Sequence, residues 1–456
     1  MATPNSSYPV SVSQLHFPSG PQNLSHILSD LRRSALTITN RLRSIESDAQ
    51  FVQDVAEHYR LALPLIANER CGSWYIPLER KGGSAYFKST DGHAGQWDFS
   101  LRRLNLQILD IANQNGGCII VDSTRRGKAM PDALSKTVPI WCTVMNRALF
   151  PDATAYHDVQ FPPNLLPESE ESQIENRIDS FVASLKTLNL NLEELKTRLG
   201  KPIRISWAMR DYIGPDYPDR NDFHLIVLCS ASRRVYGAEI SARGYIQGAG
   251  DDSEGWAHGL TPPVFWENKE ALFGTAEEDL PTLIEELVRK HHQEAPVEQG
   301  TLIKPTKNLY FGKSDQSNRS VGCFDLTIDC NADPASSGDS KCLNLGLAPG
   351  KIGSRNLRKV LDKVESFVVT KLKPESPQSV IVRCDNGKDL SVGVALAIIC
   401  LFYDDQGSYK GLQSNPISKQ YIRQRLAWIV SSKHEVNPSR STLQSVNSFL
   451  MERPGP

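Results

Sequence analysis

The segment Gly116-Gly117-Cys118-Ile119-Ile120-Val121-Asp122-Ser123-Thr124-Arg125-Arg126-Gly127-Lys128 concentrates side chains that can handle anions. A glycine pair is followed by four apolar residues, then an acid, two hydroxyls and three cations within seven positions. The short β-branched run reads as a buried strand. In open α/β sheets ligands gather outside the carboxyl ends of the strands, where this polar loop would sit. Three cations this close repel one another unless a polyanion or a ring of carboxylates lies between them. A second strand, His224–Cys229, runs into Ser230-Ala231-Ser232-Arg233-Arg234. Two strands ending in hydroxyls and an arginine pair suggest neighbouring edges that feed cations to one pocket.

A further candidate lies near the carboxyl terminus. Ser379–Cys384 reads as a strand and Ser391–Cys400 as an apolar helix, joined by Asp385-Asn386-Gly387-Lys388-Asp389-Leu390. A tight loop entering a buried helix aims several backbone N–H groups at one point, which favours an anion. The spacing Cys384-x-x-Gly387-x-x-x-Ser391 resembles the phosphate loop of dual-specificity and tyrosine phosphatases. Those enzymes grip the phosphoryl group with an Arg just before that Ser, where this chain has Leu390; their preceding His is Arg383 here. The domain therefore reads as phosphatase-like in fold and not a phosphatase in activity. Asp122-x5-Lys128 repeats the outline of Cys384-x5-Leu390 and suggests that Asp122 faces a phosphate-sized hole.

The elements that must position these loops follow from pattern. The chain has 456 residues, 39% of them apolar and 23% charged, so two or three soluble domains are expected. A formal net charge of −1 excludes a surface coated in nucleic acid and leaves local basic patches as the means of contact. No apolar run approaches the roughly 20 residues of a membrane span. The stretch MATPNSSYPVSVSQLHF lacks a basic region followed by an apolar core, so no secretory leader is expected. Nine irregularly spaced cysteines fit a reducing, cytoplasmic compartment, and no CxxC pair suggests structural zinc.

Apolar periodicity predicts helices over Asn23–Arg43 and Asp48–Leu63, then short strands and turns over Cys71–Trp97. Another helix is expected to be capped by Asp98 or Ser100 and closed at Gly116-Gly117, and one more to span Asp132–Phe150. Asn164–Gly200 reads as a peripheral acidic helical hairpin, and Ile203–Trp207 as a strand. Gly244–Trp266, dense in Gly, acids and Trp, reads as a functional loop. Thr275 and Glu278 have capping-box spacing before a helix ending near His292. The predicted division is residues 1–293, a linker at 294–306, and residues 307–456.

Phe87–His93, Trp97–Asn105, Asp122–Lys128, Met130–Thr137, Tyr245–Asp252 and Cys384–Ser391 together resemble the signature of the initiator-tRNA 2′-O-ribosyl phosphate transferases of fungi and plants. The resemblance covers most of the chain. It implies an α/β architecture with a family-specific N-terminal domain and a C-terminal dual-specificity-phosphatase-like domain. It also implies transfer of a phosphoribosyl group from phosphoribosyl pyrophosphate to the 2′-hydroxyl of adenosine 64 in initiator tRNA, a mark that keeps that tRNA out of elongation. The paired acids before a Thr-Gly loop found in ordinary phosphoribosyltransferases are absent.

Such a reaction needs a base for the hydroxyl proton, for which Asp122, then Asp98, then His93 are the candidates. Ser123, Thr124, Arg125, Arg126, Gly127 and Lys128 would hold donor phosphates, assisted by Arg233 and Arg234. Asp251 and Asp252 would hold Mg²⁺ on the pyrophosphate. Cys384, Asp385, Asn386, Gly387, Lys388, Asp389 and Ser391 form the second phosphate cradle. Arg102, Arg103, Lys351, Arg355, Arg358, Arg423 and Arg425 are expected as surface cations for the tRNA. Two alternatives use the same residues: a phosphatase-like RNA- or phosphopeptide-binding protein without transferase activity, and a phosphatase acting through Cys384.

Overall fold

A computed structural model describes residues 36–59, 62–125, 127–217, 219–235, 244–294, 300–314, 324–333, 340–373, 378–413, 416–433 and 435–452. Two sheets organise the chain. The first contains β1 (Leu65–Asn68), β2 (Lys81–Ala85), β3 (Gly117–Asp122), β4 (Ile203–Met209), β5 (Tyr212–Ile213) and β6 (His224–Ser230) in the order β2-β1-β3-β6-β4-β5. All its pairings are parallel except β4 with β5. The second contains β7 (Thr301–Leu302), β8 (Leu309–Lys313), β9 (Leu326–Asp329), β10 (Cys342–Asn344) and β11 (Val380–Cys384), ordered β10-β9-β11-β8-β7.

The uninterrupted apolar run of β3 is explained by burial on both faces. Cys118 and Ile120 pack toward the helices at 107–115, 138–149 and 168–199. Ile119 and Val121 pack on the other side, with the helix Ile38–His58 and the segment after residue 256. In the second sheet β11 leads into the helix Leu390–Phe402, every residue of which is buried. A helix apolar all round belongs inside a domain. Among the described residues no helix is long and apolar enough to cross a membrane.

Several predicted elements are corrected. One helix, Ile38–His58, runs through the expected break near residue 45, because Leu42, Ile45, Ala49 and Val52 continue a single buried stripe; the expected residues 23–35 lie outside the described ones. The helix placed after Asp98 begins only at Gln107. Asn105 takes a left-handed conformation (φ 51°), and its Oδ1 accepts from Tyr86 N, which turns the backbone away from a helix. Thr275 ends the short helix Lys269–Gly274, and the next helix starts at Leu280. Glu277 instead caps the first helix, accepting from the backbone N–H groups of Ile38 and Thr39.

The acidic hairpin is three short helices, Glu168–Glu175, Ile178–Lys186 and Leu192–Leu199. It is not peripheral: Ile174, Ile178, Leu185 and Leu199 join the core. The end of the expected linker belongs to the second sheet, since Thr301 and Leu302 pair with Phe311 and Tyr310. The helix expected at 132–150 is present as Val138–Leu149, preceded by a wider turn at Ala133–Thr137.

Candidate functional site

The loops leaving β3 and β6 are adjacent, as the matched register of Asp122 with Ser230 requires. Ser232 Oγ donates to Thr124 O at 2.8 Å, and Arg234 Nε donates to Gly127 O at 2.6 Å. Gln247, from the Gly-rich loop, locks both: its Oε1 accepts from Gly127 N and Val235 N, each at 3.0 Å. Arg233 lies over the Tyr245 ring at 4.3 Å, and Tyr245 OH donates to both oxygens of Asp48. Burial raises Asp48 to about 7, against the pull of Tyr245 and Arg210.

Asp122 is fully buried and its carboxylate is saturated. Oδ2 accepts from Asn68 Nδ2 (2.8 Å) and Arg70 Nε (3.2 Å). Oδ1 accepts from Arg70 Nη2 (3.0 Å), Cys71 Sγ (3.1 Å) and Ser123 N (2.8 Å). Arg70 also reaches Asp251 Oδ1 at 3.1 Å. Burial raises the Asp251 carboxyl, and Arg70 opposes that shift. The acid expected to face a phosphate-sized hole thus faces an arginine. Sequence reasoning missed Asn68 and Arg70, although their position at and just after the end of β1, the neighbour of β3, was the available signal.

Asp251 and Asp252 diverge. Asp252 adopts a left-handed conformation (φ 51°), faces solvent and pairs with Arg125, while Asp251 turns inward to Arg70. They do not form a chelating pair for one ion. Among the described residues no group of three or more His, Cys, Asp and Glu gathers as a metal cage. Arg126 lies outside the described residues.

Beside these loops is a pocket of 290 Å³, lined in part by Lys128, Asp132, Lys136, Glu170 and Arg234. Small-molecule sites begin at about 300 Å³, so it suits one modest ligand. Asp132 is its hub. It lies 3.0 Å from Lys128 Nζ, 3.3 Å from Lys136 Nζ and 3.6 Å from His93 Nε2. Glu170 accepts from Lys136 Nζ (3.1 Å) and Trp97 Nε1 (3.0 Å). The turn carrying His93 is pressed against this hub: a Cβ on Gly92 would lie 2.6 Å from Asp132 O, so only glycine permits the approach. Asp132 and Lys136, four residues apart, stood in a motif the sequence analysis quoted without giving them a role.

On the other side of segment 88–98 is a cleft of 890 Å³ between the two domains. Asp98 lines it and is exposed, its Oδ1 accepting only from Phe99 N among its own neighbours, so it does not cap a helix. Arg102, Arg103 and Arg423 line it as well. The other expected RNA contacts are elsewhere. Lys351 and Arg355 are exposed on the helix Gly350–Asn356, and Arg358 pairs with Glu452. Arg425 is corrected outright: it is buried, bonded to Asp405 at 2.5 Å, and sandwiched between the Tyr421 and Trp428 rings.

The loop after β11 has closed on itself. Asn386 Oδ1 accepts from Lys388 N (2.8 Å) and Asp389 N (3.2 Å), taking the N–H groups that a phosphoryl oxygen would need. Asn331 Oδ1 takes Asp385 N at 2.8 Å. Cys384 is buried and its Sγ donates to Ser391 Oγ at 3.1 Å. Leu390 is buried, and Lys388 pairs with Glu435. Asp389 accepts from Thr442 Oγ1 (2.5 Å) and Ser439 N (2.8 Å), pinning the loop to the last helix. Gly387 (φ 63°) makes the tight turn where a Cβ would lie 2.7 Å from Lys313 N. The remaining space is 20 Å³, room for about one water.

Fold and site define a two-domain α/β protein with cation-bearing strand-end loops in its first domain and, in its second, a loop closed by its own hydrogen bonds. Two family models match it: the Rit1 N-terminal domain over residues 31–289 and the Rit1 DUSP-like domain over residues 341–450. The chain belongs to the Rit1 family. An uncharacterized protein of Schizosaccharomyces pombe is 36% identical over 438 residues, covering 90% of this chain and 94% of its own. The tRNA A64-2′-O-ribosylphosphate transferase of Saccharomyces cerevisiae is 33% identical, covering 94% of this chain and 95% of its own. Among solved structures, the PTP-2 phosphatase of Cydia pomonella aligns over 33% of this chain and 90% of its own, at 16% identity and a TM-score of 0.26.

Proposed function

We propose that this protein transfers a 5-phosphoribosyl group from phosphoribosyl pyrophosphate to the ribose 2′-hydroxyl of adenosine 64 in initiator tRNA, marking that tRNA against use in elongation. The observation that carries this reading is the 33% identity, along nearly the whole of both chains, to a transferase named for that position. The closed loop at Cys384 argues against the phosphatase alternative, because the N–H groups needed for phosphoryl oxygens are already bonded to Asn386.

The donor would enter at the strand-end loops. Lys128 and Arg234 line the 290 Å³ pocket there, with Ser123, Thr124, Arg125, Gly127 and Arg233 in the surrounding loops and Arg126 on the same segment. Mg²⁺ arriving on the pyrophosphate would neutralise charge that the cations leave, with Asp252 as an exposed carboxylate beside Arg125. As the bond from C1 to pyrophosphate breaks, the attacking hydroxyl loses its proton to a base. Asp98, which lines the cleft, and His93, 3.6 Å from the pocket's Asp132, are suited to that task. Asp122, with both oxygens engaged, is suited to holding Arg70.

The test is incubation of the full chain with labelled phosphoribosyl pyrophosphate, Mg²⁺ and initiator tRNA. Label on one adenosine is the expected result. Label retained in free donor removes the reading, and release of inorganic phosphate lost with Cys384→Ser restores the phosphatase.

A further inference from the structure

The interdomain cleft brings together cations that no single segment of the sequence groups. Lys88, Arg102 and Arg103 come from the first domain, and Lys419, Arg423 and Arg440 from two helices of the second. Asp91 and Asp98 are the carboxylates among its lining residues. Lys88, Arg102, Lys419, Arg423 and Arg440 make no ion pair with any described residue, although Lys419, Arg423 and Arg440 are exposed and free to find one. The strand-end cations are different: Arg125 and Lys128 are each neutralised by a nearby aspartate. On the first-domain wall Asp91 interacts with Arg103, Lys88 and Arg102, so the uncompensated charge is that of Lys419, Arg423 and Arg440 on the facing wall, which raises the potential of the cleft and favours a polyanion in it.

The shape narrows the occupant. A cleft of 890 Å³ is three times the size of the neighbouring pocket and too concave for a flat bilayer. The exposed large apolar side chains Ile352, Val369, Leu412 and Met451 lie outside it. Lys419 and Arg423 stand one turn apart on one helix face, with about 5–6 Å between Cβ atoms, a spacing suited to successive phosphates along a strand. The walls are tied together rather than merely close: Arg103 donates to Asn437 Oδ1 at 2.6 Å, and Gln424 donates to Thr187 O at 2.9 Å. Arg103 also lies over the Tyr86 ring at 4.8 Å, which fixes its guanidinium at the cleft surface.

We propose that this cleft holds the ribose-phosphate backbone of the acceptor RNA, with the phosphatase-like domain supplying one wall through Lys419, Arg423 and Arg440. The second domain then serves the reaction by binding, from its two last helices, and not through the Cys384 loop. The identification of the polyanion as RNA rests on the proposed transferase reading; the existence of a two-walled anion cleft does not.

The experiment is a fluorescence-anisotropy titration of the full chain against a labelled initiator-tRNA transcript, without donor, at several salt concentrations. The variant Lys419→Glu/Arg423→Glu/Arg440→Glu should lose affinity at least tenfold. Its log–log salt slope should flatten by about 0.7–0.9 for each phosphate contact removed. Arg423→Gln alone should weaken binding several-fold and keeps the test open if the triple variant does not fold. Lys363→Glu, on an exposed helix outside the cleft, should bind as the parent does. Unchanged affinity and slope in the folded triple variant would overturn the proposal. So would competition by poly-glutamate as effective as that by unlabelled tRNA, which would assign the cleft to an acidic protein. Because no donor is present, a parent protein that binds this RNA but transfers nothing counts against the reaction and not against the cleft.

Discussion

The strand-end loops and the interdomain cleft are both rich in arginine and lysine, yet they hold their charge in opposite ways. At the strand ends Arg70 is spent on Asp122 and Asp251, Arg125 on Asp252, and Lys128 on Asp132. In the cleft Asp91 is shared by Lys88, Arg102 and Arg103, while Lys419, Arg423 and Arg440 have no such partners among the described residues. The first arrangement is a preorganised frame in which a small anion must displace or join existing pairs. The second is an open field that draws a long anion and is screened by salt. Counting cations in a loop does not tell these apart; counting the carboxylates that reach them does.

The sharpest way to break the comparison is at Asp122. Removing one partner of a fully buried ion pair costs about 3–5 kcal/mol, and the loss at Asp122 lies toward the lower end because Arg70 keeps Asp251. Asp122→Ala should therefore shift the denaturant unfolding midpoint strongly, whereas Asp98→Asn in the exposed cleft should leave it unchanged while slowing transfer. A normally stable Asp122→Ala protein without transfer activity would make Asp122 a base and the frame a reaction centre.

Donor binding comes next in size. Charge-assisted bonds to phosphate are worth roughly 1.5–3 kcal/mol. Lys128→Ala and Arg125→Ala should each weaken phosphoribosyl pyrophosphate binding by part of that amount in calorimetric titration, because Lys128 must leave Asp132 and Arg125 must leave Asp252 to engage it. Neither should alter tRNA affinity much. Loss of tRNA with donor binding intact would exchange the roles of the two regions.

Asp252→Asn should produce a smaller effect, moving the Mg²⁺ dependence of transfer to higher concentration without changing stability. Asp251→Asn should instead lower stability, since Arg70 loses a partner, and leave the Mg²⁺ curve in place. If both curves coincide with the parent's, neither acid meets the metal. The smallest effect is expected at Cys384→Ser, where a buried thiol within reach of Ser391 Oγ and Asn386 Oδ1 is exchanged for a hydroxyl able to donate to either.

What the sequence made legible follows from locality. β3, β6, β11 and the helix after Cys384 have continuous apolar runs that no neighbour can reinterpret, and the loops at their ends were found with them. Leu390 and the absent Arg were visible in the same way, as was the family resemblance. Arg425 shows where such reading stops: its helix position looks exposed, and only the packing of Tyr421, Trp428 and Asp405 around it reveals that it is buried. The saturation of Asp122 likewise depends on Arg70, a residue on a neighbouring strand's loop. Arg102, Arg103 and Arg423 were legible as cations for RNA, but not the cleft that joins them, because its walls meet only through contacts between residues 237 and 334 apart in sequence, Gln424 with Thr187 and Arg103 with Asn437.

The division of labour is tested most directly by single-turnover transfer of labelled phosphoribosyl groups to initiator tRNA, run in parallel on the parent protein, Cys384→Ser and Arg102→Glu/Arg423→Glu. The expected result is near-parental transfer by Cys384→Ser and, at tRNA concentrations that saturate the parent, transfer at least tenfold slower by the cleft variant. Abolished transfer in Cys384→Ser with parental transfer in the cleft variant would return the chemistry to the phosphatase-like loop and contradict the account.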